Sequence, residues 1–456
     1  MSNRLCSTSL RDVPASVRRP EYDFSSLKTG IVHFGLGAFH RAHQAVFTED
    51  AMETAGGEWG IVAASLNHAA VPDALAAQDG LYTAELLGTE ARYRIVGAIR
   101  RALFAPRDTV SLIDVMASPQ THVITLTVTE KGYCLDADGA LDMSHPDIAH
   151  DLAAPKLPRS AIGWLLRGLA ARHANAGAPL TIVSCDNLSS NGAKLGRAVA
   201  ALAERTAPHL LPWLSQSVTF PNTLVDCIVP APSEAHRLRV DHVLCMRDEA
   251  SVQREEFAQW VMENRFAGPI PEWSKVGAEI VDDIEPYQRL KLHILNTCHS
   301  ALAYMGIPRG HEFVRQAIAD PELACFCDAL VEEEIAPALS PLDANGYWRC
   351  TRQRLANPML DHKLAQIAED GSAKLAQRVY PLMIDGAEHG RAIARLGTIV
   401  RAWLSFMART PAKDPQQAIL ARWAYSGADP AQALDNPALF PASFRTNPKL
   451  RQAVLG

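Results

Sequence analysis

Between Thr29 and Val183, short apolar runs alternate with longer stretches whose apolar positions recur every three or four residues. Gly30 to Phe34, Trp59 to Leu66, Leu81 to Leu87, Tyr93 to Ile99, His122 to Tyr133 and Leu180 to Ser184 read as strands. Arg41 to Thr54, Val71 to Ala77, Thr109 to Met116 and Ser160 to Ala176 read as helices, the last opened by Pro158 and closed by Gly177. Strands alternating with helices predict βαβ units and a mostly parallel sheet. Beyond about residue 280 the strand-like runs nearly vanish. Helical patterns take over at Pro286 to Tyr304, His311 to Ile318, Glu322 to Ile335, His362 to Ala368 and Ala392 to Met407. The expected fold is therefore α/β: a Rossmann-type parallel-sheet domain over 1–279, then a mainly α-helical domain over 280–456. Pro269-Ile270-Pro271 stands as punctuation just before the change.

Composition narrows the class. A chain of 456 residues exceeds one ordinary core, and 48% hydrophobic with 21% charged residues is the balance of a globular enzyme. A net charge of -6 provides no basic face for nucleic acid. No apolar run approaches the roughly 18 to 20 residues that cross a bilayer, and the N-terminus lacks a secretory apolar region. Nine scattered cysteines suit reduced thiols in a cytoplasm. Cys325-Phe326-Cys327 is the one close pair, without a second pair or a His cluster to make a metal site. A cytoplasmic protein with a small-molecule substrate is expected, monomeric rather than obligately oligomeric.

Three stretches carry candidate chemistry. In GIVHFGLGAFHRAHQ (Gly30 to Gln44), Gly35 and Gly37 suit a turn that approaches a pyrophosphate at a helix start, but His40 replaces the third glycine of G-x-G-x-x-G. Alone this is a weak match, and His40, Arg41 and His43 read equally well as residues of a helix surface. No acid follows the second strand to hold a ribose, where Leu66-Asn67-His68 stands, and no arginine marks a 2′-phosphate. SCDNLSSNG (Ser184 to Gly192) follows a buried strand, where ligands bind in parallel sheets, although an Asx-turn capping the next helix explains it as well. In PYQRLKLHILNTCHSALAYMG (Pro286 to Gly306), Lys291, Asn296 and His299 fall at about 0°, 140° and 80° around an α-helix. Three polar groups on one side of an apolar helix need partners or a cleft.

The K-x4-N-x2-H helix resembles the mannitol dehydrogenase family when taken with FGxGxFHRAHQ, TVTEKGY (Thr127 to Tyr133), SCDN, FPNTLVD (Phe220 to Asp226) and EDGSAK (Glu369 to Lys374). These long-chain polyol dehydrogenases and hexuronate reductases use the G-x-G-x-F-H loop as their normal form. The resemblance spans nearly the whole chain in order. It implies cofactor contacts from Gly35, Gly37, Phe39, His40 and Arg41, with NAD as cofactor and NADP left open. It implies Lys291 as acid/base, Asn187 and Asn296 as amides for the developing oxyanion, and His299 as a substrate-orienting group. Asp226 and Lys374 match substrate-pocket positions, and no metal is required. A lysine of ordinary pKa near 10.4 is a poor base at neutral pH, so desolvation and a neighbouring positive nicotinamide are expected to bring it toward about 7 to 8.

Departures from the family pattern bear on the substrate. Gln288 replaces a glutamate before the lysine, Cys227 an arginine after Val225-Asp226, and Thr297-Cys298 the usual Gly-Ser. The leading expectation is a polyol dehydrogenase, with a fructuronate reductase as alternative. TEKGY and Gln366 point to the uronate branch, whereas loss of the arginine at Cys227 points away from a carboxylate substrate. A non-catalytic NAD(H) sensor is the third reading, disfavoured by the intact Lys291, Asn296, His299 and Asn187 set.

Overall fold

The computed structural model describes residues 4–136, 138–410 and 412–456. The chain divides into two compact units, Met1–Ile284 and Glu285–Gly456.

Among the described residues the first unit contains the strands β1 Thr29–Phe34, β2 Gly60–Ser65, β3 Tyr82–Leu87, β4 Ala91–Val96, β5 Ile99–Phe104, β6 Val123–Leu126, β7 Leu180–Ser184, β8 Val218–Thr219, β9 Thr223–Asp226, β10 Val252–Glu255, β11 Gln259–Glu263 and β12 Glu279–Val281. Six form a parallel sheet in the order β5-β2-β1-β6-β7-β8. Both faces are buried, which explains why the central strands read as continuous apolar runs rather than alternating ones. Val32, Phe34, Ile124, Leu126 and Ile182 pack with Leu112, Leu165 and Leu195 on one face. Ile31, Ile61, Ala63, Val123 and Val183 pack with Ala45 and Met52 on the other. Chain order reverses beside β1, so the crevice at the carboxyl ends of β1 and β6 is the topological switch point where such sheets bind ligands.

The predicted α/β class holds, with local corrections. β5 was not anticipated, because Arg100 and Arg101 interrupt its apolar pattern; an edge strand with one side toward solvent accommodates them. The Leu81 to Leu87 and Tyr93 to Ile99 runs instead supply β3 and β4 of a separate three-stranded sheet with β10. The expected strand from His122 to Tyr133 stops at Leu126; Thr129 turns to φ +67° and Glu130–Tyr133 forms a 3-10 turn. The helix expected from Arg41 begins earlier, as Ala38–Ala42, breaks at His43 and resumes as Gln44–Ala55.

The second unit is helical throughout, around a core that includes Tyr304, Tyr380, Trp403, Phe440 and Phe444. Several of its helices escaped the periodicity reading, among them Ala344–Leu355, Gly371–Arg378, Pro430–Leu434 and Pro448–Leu455. Two of them start at Asp429-Pro430 and Asn447-Pro448, where the acid or amide side chain caps the next free N–H and proline opens the first turn. Among the described residues no helix is long and apolar enough to cross a membrane.

Glu49 illustrates what the fold stores electrostatically. Its fully buried carboxylate accepts from Tyr22 Oη at 2.8 Å and Gly97 N at 2.9 Å, and burial pushes its pKa up to about 7 despite the nearby Arg94. A carboxyl group that holds its proton longer folded than unfolded stabilises the fold at low pH, and that contribution disappears as pH rises from the ordinary value toward 7. We expect urea unfolding of wild type to lose on the order of 3 kcal/mol between pH 4.5 and 7.5 from this group. The Glu49→Gln variant should show a flatter profile across the same window; parallel profiles would remove Glu49 as the source.

Candidate active site

The glycine loop sits at the carboxyl end of β1. Gly35 has φ +94°, and a Cβ there would lie 2.0 Å from the Thr127 carbonyl oxygen, so the turn tolerates only glycine. Gly37 is different: it is exposed, and a Cβ would meet nothing nearer than Gly35 O at 3.7 Å. The chain's own packing does not demand glycine at that position. Gly37 precedes the short Ala38–Ala42 helix, in which Phe39 is half-buried and stacks on His43 with ring centroids 5.1 Å apart.

His40, in place of the third glycine, is completely buried and stacks face to face on His33 of β1, with centroids 3.3 Å apart and planes within 10°. Helix and strand here are joined by two stacked imidazoles instead of the close backbone approach that glycine permits. His33 is held by Thr125 Oγ1 at 2.8 Å and by Gly35 O and Thr127 Oγ1, each at 3.0 Å. Burial pushes its pKa down to about 3 and drives His40 well below the ordinary histidine range, so the stack is neutral. Nor is Arg41 a surface residue: its guanidinium turns inward, donating to the Ala250 carbonyl and to Gly37 O at 3.2 Å. His43 is likewise buried, against Gln259 O at 3.0 Å. The helix-surface alternative fails for all three. His33 itself carried a signal in the sequence, as the one ionisable residue in an otherwise apolar strand.

Two motifs far apart in sequence meet at Asp186. Its carboxylate accepts from the backbone N–H groups of Val128 at 3.0 Å and Thr129 at 2.8 Å and from Tyr133 Oη at 2.7 Å. These bonds, rather than an Asx-turn, account for the acid in SCDN, and they are why the chain leaves the sheet after Leu126. Burial raises the Asp186 pKa and the three donors oppose that rise. Asn191, which the sequence reading passed over, anchors the other side. Its amide nitrogen donates to Ser184 O, Asp186 O and Thr223 O at 3.1 to 3.2 Å, while its oxygen accepts from Gly192 N and Thr223 N at 2.8 Å. SCDN is thereby tied to FPNTLVD, within which Asp226 is buried on β9. Asn187, between the two anchors, is exposed at the carboxyl end of β7.

In the second unit the lysine helix is not a regular α-helix. Glu285–Leu290 is α-helical, Lys291–Leu295 forms a π turn, and Asn296–Gly306 continues as α-helix. The Asn296 N–H donates to Lys291 O, five residues back rather than four. A π turn takes in one extra residue, so residue i+5 occupies the axial place that i+4 holds in an α-helix. Asn296 therefore stacks above Lys291 instead of lying about 140° away, and His299, three residues further on, extends the same row. Lys291 and Asn296 are half-buried and His299 is buried.

His299 meets His362 edge to face at 5.4 Å. Burial holds its imidazole well below the ordinary range, and the charges of His362, Arg378, Arg354 and Lys374 add to the effect. Lys374 donates to Ile367 O at 3.0 Å from the Gly371–Arg378 helix, one turn before Arg378. Of the departures, Thr297 and Cys298 are buried on the side away from the row: Thr297 Oγ1 reaches Arg378 O at 3.4 Å and Cys298 lies in the core beside Cys327. Gln288 and Cys227 are both half-buried. None of the nine cysteines forms a disulfide. Cys134, His145 and Asp147 do bring ligand-type atoms within 4.8 Å of one another, a grouping their spacing did not announce. His145 Nδ1 there accepts the Asp147 N–H at 3.3 Å, which makes it the cap of the Pro146–Ala153 helix.

Two family models cover the chain: the mannitol dehydrogenase Rossmann domain matches residues 29–275 and the mannitol dehydrogenase C-terminal domain residues 283–455. The chain is 38% identical over 408 residues to D-mannonate oxidoreductase of Escherichia coli strain K12, covering 88% of this chain and 84% of that protein. It is 35% identical to mannitol 2-dehydrogenase of Phaeosphaeria nodorum, over 86% and 71% of the two chains. The solved ternary complex of Pseudomonas fluorescens mannitol 2-dehydrogenase with NAD and D-mannitol superposes with a TM-score of 0.87 at 32% identity, over 99% of this chain and 95% of that one. A parallel sheet with a glycine turn at its switch point, a helical unit with a lysine row and two family-model matches that between them cover most of the chain place it in the mannitol dehydrogenase family of oxidoreductases.

Proposed function

We propose that this protein is an NAD-dependent oxidoreductase that interconverts a hydroxyl and a keto group on a linear sugar-derived substrate, with Lys291 as acid/base. The observation that carries the reading is the π turn, which sets Lys291, Asn296 and His299 in one row. The exposed, sterically undemanded Gly37 beside the strained Gly35 fits a cofactor pyrophosphate, with Phe39, the His33–His40 stack and the inward Arg41 shaping the turn from behind. NAD rather than NADP is supported after β2, where Asn67 and His68 follow and the nearby Arg107 is engaged by Asp73 at 2.8 Å. The bound nicotinamide supplies the hydride acceptor. Lys291 takes the hydroxyl proton, Asn187 and Asn296 donate amide N–H groups to the developing oxyanion, and neutral His299 orients the substrate.

For the substrate, the cationic surroundings of His299 favour a hexuronate and its aldonate over the polyol and ketose that the sequence alone slightly favours. Lys374, Arg378 and Arg354 all bear on that imidazole. A carboxylate is the substrate group such a field stabilises. Lys374 is the residue we assign to the carboxylate end and Asp226 to the hydroxyls. A polyol is the second reading, supported by the D-mannitol held in the Pseudomonas fluorescens relative.

A spectrophotometric screen of NAD(H) and NADP(H) against fructuronate, tagaturonate, fructose, hexitols and pentitols tests both. We expect kcat/KM for a uronate to exceed that for any polyol or neutral ketose by at least about 100-fold, the cost of an unpaired charged hydrogen bond; the reverse ratio overturns the assignment. Lys291→Ala should lower turnover about 100- to 10,000-fold with NADH affinity unchanged, the range for losing a general acid/base. Near-wild-type turnover in that variant would remove the lysine from the mechanism.

A further inference from the structure

A π turn inside a helix is an uncommon arrangement, and it persists where surrounding groups hold it. In this helix the holding groups converge on one residue from outside it. Arg378, the last residue of the Gly371–Arg378 helix, donates from Nη1 to Asn296 O at 3.1 Å and to Ser300 Oγ at 3.1 Å. Ser300 Oγ itself donates to Asn296 O at 3.1 Å. In the opposite direction, the carbonyl oxygen of Arg378 meets His293 Nδ1 at 3.1 Å and accepts from Thr297 Oγ1 at 3.4 Å. One residue thus grips the helix at His293, inside the π turn, and at Asn296, Thr297 and Ser300, just beyond it.

We propose that Arg378 is a positioning residue for the reaction: its side chain and its backbone carbonyl together clamp the Lys291–Leu295 turn so that the Asn296 amide stays above the Lys291 ammonium. The clamp explains two features that the chemistry of Lys291 alone does not. Thr297, which departs from the family's usual glycine, supplies a hydroxyl to it. The pairing of Lys374 with Arg378 one turn later places a residue assigned to substrate and one assigned to the clamp on the same face of one short helix. The guanidinium also adds to the field that keeps His299 neutral, so its loss affects the row at more than one point.

The inference rests on the role given to Lys291, and the test separates the two. Kinetics are measured on wild type, Lys291→Ala, Arg378→Met, Arg378→Lys and Thr297→Val with whichever substrate the screen identifies, alongside NADH affinity by fluorescence and thermal midpoints. Arg378→Met should lower kcat about 100-fold, the scale of an ångström of misplacement, with KM changed less than about threefold and NADH affinity intact. Arg378→Lys, which keeps a cation but not the fork, should recover part of kcat, and Thr297→Val should lose less than Arg378→Met. A crystal structure of Arg378→Met should show the Asn296 N–H no longer bonded to Lys291 O. Wild-type kcat in Arg378→Met, or a loss confined to KM, overturns the clamp while leaving Lys291 in place; an active Lys291→Ala overturns the lysine reading instead. Where Arg378→Met yields no folded protein, Arg378→Lys and Thr297→Val decide: unchanged kcat in both overturns the proposal.

Discussion

One extra residue in one helical turn is the constraint on which the Lys291, Asn296 and His299 row depends. In a regular α-helix the side chains of residues 291 and 296 lie about 140° apart around the axis. The i→i+5 bond from Asn296 N to Lys291 O brings the two onto one line and lets His299 extend it. Such a turn hydrogen-bonds less favourably than an α-turn, so outside groups must hold it. Here they do so from His293 through Ser300, and the rest of the helix, Cys298, Ala301 and Leu302 among it, is packed into the core of its unit.

The first unit solves a comparable problem with buried polar groups rather than helix geometry. Asp186 and Asn191 are costly residues to desolvate, and each is offset by three or more hydrogen bonds. Between them they connect the carboxyl ends of β6 and β7 to the start of β9, so the segments carrying TEKGY, SCDN and FPNTLVD hold one shape. The glycine turn is fixed by the same logic. Thr127 O packs against Gly35, while Thr127 Oγ1 bonds both His33 and Gly35 O at 3.0 and 2.8 Å. A neutral His33–His40 stack then does for helix packing what a third glycine does in the more familiar fingerprint.

Much of this was legible in the sequence, and the exceptions share a physical cause. The central parallel strands β1, β2, β6 and β7 are readable because both their faces are buried, which enforces unbroken apolar runs. β5 is not, because an edge strand carries two arginines without penalty. The short helices Pro430–Leu434 and Pro448–Leu455 carry too few turns for a periodicity to show, although Asp429-Pro430 and Asn447-Pro448 are each a cap followed by a first turn. Lys291, Asn296 and His299 were identified as a set, yet their angular spacing was wrong, because 100° per residue assumes the turn that the structure does not have there.

The sequence by itself determined the class of fold, the order of the two units and the family, since these depend on local periodicity and short motifs. Tertiary structure decided the rest. Which way His40 and Arg41 face, what Asp186 holds, and how Asn296 comes to lie over Lys291 are all set by partners between 7 and more than 200 residues away in the chain, such as Arg378 and Ala250. A buried polar group takes its conformation from whichever donors and acceptors the fold delivers to it, and no local pattern encodes that delivery.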